Sequence, residues 1–440
     1  MSDLTIGILS FPVLIGLIFL RVPIGLSMFL VGFGGIYTVT GGPNVVLAKL
    51  KHETYSTFSN YDLSIVPMFL LMGYFATLGG MSTALFKAAE AWLGHRRGGV
   101  AMASVGACAG FGAICGSSLA TAATMGQVAL PELKRYGYSP AFSAATLAAG
   151  GTLGILIPPS VILVIYAILA EQNIAKLFLS AFIPGVLAAV GYMITISIYV
   201  RLNPAAAGLR DPIPYADRFR ALLAVWPVLL VFALVVGGIY RGWFTPTAGA
   251  AVGAAGTGLI ALLNGGLTWA TLAESFQATA KSSAMIFFII FGAAFYNGFL
   301  ALTQVPQELS VWVVGLGLNP WAVLVLMLLL YLVFGCLMDS LSMILLTVPI
   351  FFPIISQLDF GMTYEEVAIW FGILVLIVVE VGLITPPVGM NLFVISAMDR
   401  SVRMVDTYRA IIPFVASDIV RVAILVAFPG ITLWLLRVFH

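Results

Sequence analysis

Charge is what this sequence has least of. Lysine, arginine, aspartate and glutamate make up 9% of 440 positions, 20 basic against 18 acidic, where an ordinary soluble domain carries about a quarter. The net charge of +2 is too small to argue for nucleic acid as a partner, and no polar stretch is long enough to form a soluble domain. Cysteine is nearly as scarce. Cys108, Cys115 and Cys336 lie within apolar segments without CxxC or metal-ligand spacing, so they carry no redox or metal message. The three histidines, His52, His95 and His440, fall in loops or at the end, again without ligand spacing. A Walker A pattern and a glycine-rich phosphate loop after a strand are missing too, which argues against direct ATP coupling, and no cofactor is expected beyond coupling ions. No serine, histidine and acid group as nucleophile, base and orienter, so nothing points to an enzyme.

What fills the chain instead is apolar sequence, 61% of all residues. Such a composition makes the bilayer the solvent and predicts an all-α polytopic membrane protein. Met1-Ser2-Asp3 followed by apolar sequence lacks a basic n-region and a cleavage site, and reads as a retained first span. The basic residues then mark the cytoplasmic loops: His95-Arg96-Arg97, Lys134-Arg135, the stretch from Arg201 to Arg220, and Arg400, Arg403 and Arg409. Segments 304–310 and 358–366 carry only acids, Glu308, Asp359, Glu365 and Glu366, and are placed outside. Lys49, Lys51 and Arg241, each in a short connection, run mildly against this scheme.

Spacing between these markers predicts two re-entrant hairpins. Residues 98–133 begin and end on the cytoplasmic side and number 36, whereas two crossings need roughly 40 plus a turn. The segment should dip in and return, with its tip at Cys115-Gly116-Ser117-Ser118. Residues 319–357, flanked by acidic loops, repeat this from the other side around Gly335 to Ser340. Two further interruptions are unmistakable. Pro158-Pro159 and Pro386-Pro387 sit inside apolar stretches, and a double proline breaks a helix and frees carbonyls. In hydrocarbon such a break is tolerated only where it is buried in protein or lines a cavity. The broken helices are expected over 140–170 and 367–398.

The halves also match as a repeat. Ser117 to Asp339 and Pro131 to Pro353 share an offset of 222, Pro158 to Pro386 is 228, and Pro184 to Pro413 is 229. Residues 1–200 and 221–440 would be inverted repeats of five crossings each, about ten spans in all, joined by a cytoplasmic linker over 201–220. Segments 82–97 and 305–317 are amphipathic and should lie flat at the cytoplasmic and external interfaces as arms.

The interruptions suggest chemistry. At Ser117-Ser118 and Ile157-Pro158-Pro159-Ser160, freed carbonyls and hydroxyls can form a cage of hard oxygen ligands suited to a compact alkali cation. The mirror cage would use Asp339, Ser340 and Ser342 with Thr385-Pro386-Pro387. Helices restarting after both tips and both breaks would aim their N-terminal N–H groups inward and favour a carboxylate, with Ser118, Thr121, Thr124, Ser160, Ser342, Thr385 and Asn391 as substrate candidates. Serine and threonine also bond locally within helices, the competing reading for each hydroxyl. An acid at an intramembrane tip, Asp339, points to a cation ligand or orienter. Glu380 is either a partner of the nearby cage or a hydrogen bond to a neighbouring helix. Asp418 and Arg421, three apart on one face, read as a mutually neutralised pair about two turns into the last span.

The runs CGSSLATAATMGQVALPELKRYGYSPAF (115–142), GTLGILIPPSVILVIYA (151–167), KLFLSAFIPG (176–185), MDSLSMILLTVPIFFPI (338–354) and VGLITPPVGMNLFVISA (381–397) resemble the large membrane subunit of the tripartite ATP-independent periplasmic (TRAP) transporters. SIVPMFLLMGYFATLGGM (64–81) and LRVPIGLSMFLVG (20–32) fit the same family, so the resemblance spans essentially the whole chain. It implies an elevator-type secondary transporter in the bacterial cytoplasmic (inner) membrane, importing an organic anion such as a dicarboxylate, sialic acid or keto acid with sodium. It also implies two partners, a small four-helix membrane subunit encoded separately and a periplasmic substrate-binding protein that holds most of the selectivity. The sodium candidates are then Gly116, Ser117, Ser118, Ile157 and Pro158 in the first cage, and Asp339, Ser340, Gly382, Thr385 and Pro386 in the second. A self-sufficient sodium-coupled symporter of similar architecture, or a channel lined by the hairpins, are the competing functions.

Overall fold

Proline after a small polar residue starts many of the helices. Ser139, Thr245 and Asn319 each cap a helix through the side-chain oxygen, and Pro140, Pro246 and Pro320 follow at the first helical position, where a missing N–H costs nothing. The computed structural model describes residues 2–399 and 402–439, so Met1, Arg400 and His440 lie outside the described residues. Among those described, every regular element is helical.

The first part comprises α1 (Asp3–Phe19), α2 (Ile24–Thr40), α3 (Pro43–Phe58), α4 (Ile65–Leu78) and α5 (Met81–Leu93). A hairpin follows, α6 (Gly99–Cys115) and α7 (Ser118–Arg135), then α8 (Pro140–Leu156), α9 (Val161–Leu169) and α10 (Ile174–Leu202). The second part runs α11 (Tyr215–Leu223), α12 (Trp226–Tyr240), α13 (Pro246–Leu263), α14 (Trp269–Leu302) and α15 (Val305–Gly315). A second hairpin, α16 (Pro320–Gly335) and α17 (Ser340–Ile355), precedes α18 (Tyr364–Gly382), α19 (Met390–Met398), α20 (Met404–Ala427) and α21 (Pro429–Phe439).

Among the described residues five stretches are long and apolar enough to cross a bilayer: Tyr61–Leu78, α10, α13, α14 and α20. Two bent pairs add to them, α8 with α9 at 46° and α11 with α12 at 41°. The hairpin helices are shorter, at 17, 18, 16 and 16 residues, or about 24–27 Å each, below the thickness of the hydrocarbon core. Leu202, Leu263 and Trp269 are more than 70% exposed, which an aqueous surface would penalise and a lipid one would not.

Two packing groups emerge. In one, α14 lies along α2 and both α13 and α14 pack on α4; in the other, α6, α7 and α8 pack on one another and α8 meets α19, α20 and α10. The amphipathic helix α5 lies on α6, and α15 lies on α17, so each packs on a hairpin.

Several local readings need correction. Lys49, Lys51 and His52 lie on α3 rather than in a connection, because Gly42 and Pro43 start a helix there. His95 is half-buried with its Nδ1 enclosed, not solvated. The linker is shorter than 201–220: α10 continues through Leu202, and Pro214 starts α11 at Tyr215. Asp418 and Arg421 do form a 2.9 Å pair, but near the middle of α20 and with α21 still to follow.

Candidate functional site

The hairpin tips are where helices stop and restart. After α6, Gly116 takes the left-handed conformation at φ 63°, Ser117 turns extended, and its Oγ accepts from the Ala120 N–H, starting α7. A Cβ at Gly116 would stand 2.9 Å from the Pro159 carbonyl oxygen, so this tip rests directly on the first proline break. There Ile157, Pro158, Pro159 and Ser160 are all buried, and Ser160 Oγ accepts from the Leu163 N–H to start α9. The first tip and first break, predicted to share a cage, are in contact.

At the second tip, Asp339 caps α17. Its Oδ2 accepts from the Ser342 N–H at 3.1 Å and its Oδ1 from Ser342 Oγ at 2.5 Å. The acid therefore has a capping role, which leaves its remaining lone pairs for other partners. The second break runs through Leu383–Gly389, where Thr385 Oγ1 donates back to the Val381 carbonyl and Asn391 N–H donates to the Leu383 carbonyl. Tyr408 OH lies 2.8 Å from both the freed Pro387 and Val388 carbonyls and can donate its one hydrogen to either, satisfying one acceptor that the broken helix leaves open. Both Pro158–Pro159 and Pro386–Pro387 are cis.

Glu380 joins the two tips. It lies on α18, 1% exposed. Its Oε1 accepts from Ser340 Oγ at 2.7 Å and from Ser118 Oγ at a long 3.5 Å. Ser118 and Ser340 are the first residues of α7 and α17, so two helix N-termini converge on one carboxylate. Of the two readings of Glu380 that the sequence left open, the hydrogen bond to a neighbouring helix is what is seen, made to two helices at once and at the hairpin tips. Close by, Thr121 Oγ1 and Asn391 Oδ1 are buried without a hydrogen-bond partner, while Asn391 Nδ2 donates to the Ala148 carbonyl on α8. Similar unpartnered side-chain atoms occur elsewhere among the described residues, at Thr146, Thr279, Ser283 and Tyr331 for example, so they do not by themselves single out this place. Thr124 is half-buried on α7, one turn from Thr121.

Close backbone approaches hold these parts in register. A Cβ on Gly154 would meet Thr121 Oγ1 at 2.4 Å and the Ser117 carbonyl at 2.7 Å, and one on Gly112 would meet Gly154 Cα at 2.6 Å. In the second half, a Cβ on Gly382 would stand 2.6 Å from Gly335 Cα. Sequence reading overlooked Gly112 and Gly154, although Gly335 and Gly382 stand 223 and 228 residues further on, in line with the offsets of the proline pairs.

Two of the acids that the sequence placed outside are already engaged. Glu365 pairs with Lys176 at 2.7 Å, and Glu366 with Arg437 at 2.8 Å while closing the capping box with Thr363. They tie α18 to α10 and α21. Elsewhere, Arg210 pairs with Glu90 of α5 at 3.0 Å. Among the described residues no group of three or more histidine, cysteine or acidic side chains could hold a metal, so a cation here would rely on hydroxyls, carbonyls and single carboxylates.

Residues 11–431 match the family described as tripartite ATP-independent periplasmic transporter, DctM component. The chain is similar to the C4-dicarboxylate TRAP transporter large permease protein DctM of Pseudomonas aeruginosa, 36% identical over 407 residues that cover 91% of this chain and 92% of that one. It is also similar to the isethionate TRAP transporter permease protein DctMQ of Oleidesulfovibrio alaskensis, 29% identical and covering 97% of this chain but 66% of that longer protein. Among solved structures, the Alcanivorax borkumensis YdaH transporter superposes with a TM-score of 0.64 at 15% identity, covering 88% of this chain and 90% of that one. That likeness concerns the fold.

Proposed function

The chain belongs to the DctM component family of TRAP transporters, multi-pass proteins of the bacterial inner membrane, and from that premise we propose that it imports a small organic anion together with sodium. The observation that carries this reading is the meeting of two hairpin tips on Glu380, with the first break packed against the first tip and the second break opening three residues after Glu380 on the same chain segment. Helix N-termini there supply positive ends for an anion, and hydroxyls and carbonyls supply oxygen for an alkali cation. A carboxylate is the first choice of substrate, given the C4-dicarboxylate relative; the isethionate relative makes a sulfonate the second. Both are compact anions that a pair of helix ends can hold.

The matching glycine crossings, Gly112 on Gly154 and Gly335 on Gly382, support two inverted repeats. The block built on α6–α10 and α16–α21 would move as an elevator against α1–α4 and α12–α14. The arms α5 and α15 would connect the two. A small membrane subunit would cover lipid-facing surface of the fixed group, and a periplasmic binding protein would deliver the substrate.

Reconstitution tests the whole reading. In proteoliposomes with an inward sodium gradient, the isolated chain should take up little C4-dicarboxylate. Adding the small subunit and the substrate-loaded binding protein should start saturable, sodium-dependent uptake. Robust uptake of free substrate by the chain alone would make it a self-sufficient symporter, and non-saturable flux would make it a channel.

A further inference from the structure

Glu380 does more than fill a membrane helix. It is enclosed, its Oε1 is shared by hydroxyls from two different hairpins, and its Oε2 is buried without a hydrogen-bond partner among the described residues. No lysine, arginine or histidine pairs with it among those residues, in contrast to Asp418, which is held by Arg421 and by Tyr192 OH at 2.7 Å. An unpaired intramembrane acid is costly, and its place is explained by what it connects.

Ser118 opens α7 and Ser340 opens α17. Any movement that lifts one tip by about an ångström pulls its hydroxyl out of bonding range, because hydrogen bonds weaken steeply with distance and angle. The carboxyl group then loses one of the two donors that hold it in place, so its bond to the other tip loosens as well. We propose that Glu380 is a positioning residue that couples the two hairpin tips, so that occupancy or displacement of one tip is felt at the other. The unequal lengths, 2.7 Å to Ser340 and 3.5 Å to Ser118, make the second tip the anchor and the first the looser partner. The inference rests on the reading of the tips as the transport site, yet the linkage itself is a property of the empty chain. Thermodynamic coupling is reciprocal, so it must appear in both directions.

Backbone hydrogen exchange on the full chain in lipid nanodiscs, without substrate, tests this. Ser340→Ala should speed exchange of the amides at 118–121, across the interface, by up to roughly tenfold, the loss of one hydrogen bond to a buried carboxyl group. Ser118→Ala should speed exchange at 340–343 by less. In a Glu380→Leu background, neither serine change should cross to the other tip, and Glu380→Gln, which keeps an acceptor, should restore part of the effect. If Glu380→Leu does not fold, the Glu380→Gln series decides alone, the cross-effect shrinking if the proposal holds. Serine changes that act only on their own hairpin, or a cross-effect undiminished at Glu380→Leu or Glu380→Gln, would overturn it. Because no transport is measured, a failure of sodium-driven uptake would strike the proposed function and leave this result standing.

Discussion

The two hairpin-and-break units solve one problem in different ways. In the first, two residues, Gly116 and Ser117, join the hairpin helices, and the break at 157–160 is buried throughout. In the second, four residues, Cys336 to Asp339, form the tip, the break extends over 383–389, and Pro386 and Pro387 are exposed. A serine caps the first returning helix and an aspartate the second. The difference teaches that a helix break inside a membrane protein can be held by close packing of backbone or by a side chain reaching into an open loop. The first unit has its geometry fixed by neighbours touching backbone. The second retains room to rearrange, with Tyr408 as its tie.

The largest effects should come from filling the glycine crossings. Gly154→Ala forces a methyl against Thr121 and Ser117, and Gly382→Ala forces one against Gly335; each should cost about 1–3 kcal/mol of stability and reduce uptake sharply. Gly335→Ala, whose nearest neighbours lie 3.2 Å away, should be much milder. Thermal unfolding in detergent checks the order. Tolerance of Gly382→Ala alongside damage by Gly154→Ala would deepen the contrast between the units, and tolerance of both would remove the packing argument.

Accessibility comes next. Single cysteines at Ser160 and Pro387 compare the two breaks directly, with Cys108, Cys115 and Cys336 already buried. A polar thiol reagent should modify the Pro387 position at least about tenfold faster than the Ser160 position, since reaction requires an accessible thiolate. Equal rates would mean that the closed and open descriptions are wrong.

Much of this was legible in the sequence, and the reasons are local. Double proline, a Gly-Ser turn and an acid before Ser-Leu-Ser all act on their own backbone, so both breaks and both tips appear where expected. Contacts between distant segments were not legible. Nothing around Glu380 reveals that its carboxylate meets Ser118, 262 positions away. Likewise Glu365 and Glu366 looked like free external acids until Lys176 and Arg437 were found beside them. Reversing those two charges would break ties within this chain, so they are poor probes of a docking partner.

The caps offer a smaller effect that separates structure from ligand binding. Ser117→Ala and Asp339→Ala should each cost about 1 kcal/mol, with the aspartate costing more because it accepts from both Ser342 N–H and Oγ. Asp339→Asn keeps a capping oxygen and should restore most of that stability. If Asp339 also serves a cation, the asparagine should still raise the sodium concentration for half-maximal uptake. Unchanged sodium dependence in Asp339→Asn would confine the residue to its cap and make the two tips more alike.

The smallest effect concerns the arms. Glu90 on α5 is buried against Arg210, whereas its opposite number Glu308 on α15 is exposed. Burial pushes the Glu90 carboxyl above its usual range, against the pull of the Arg210 guanidinium. The folded chain thus holds this proton to higher pH than the unfolded chain does. Between the ordinary carboxylate range and the raised folded value the native state binds more protons, so Glu90 makes stability fall as pH rises through that window. Glu90→Gln should flatten this slope, and Arg210 would keep its stacking contact over Tyr136 at 5.7 Å. Glu308→Gln should leave the slope as it is. Melting temperatures of the two variants across about pH 4 to 7 read the difference: an unchanged slope in Glu90→Gln would mean that the first arm is as loosely held as the second.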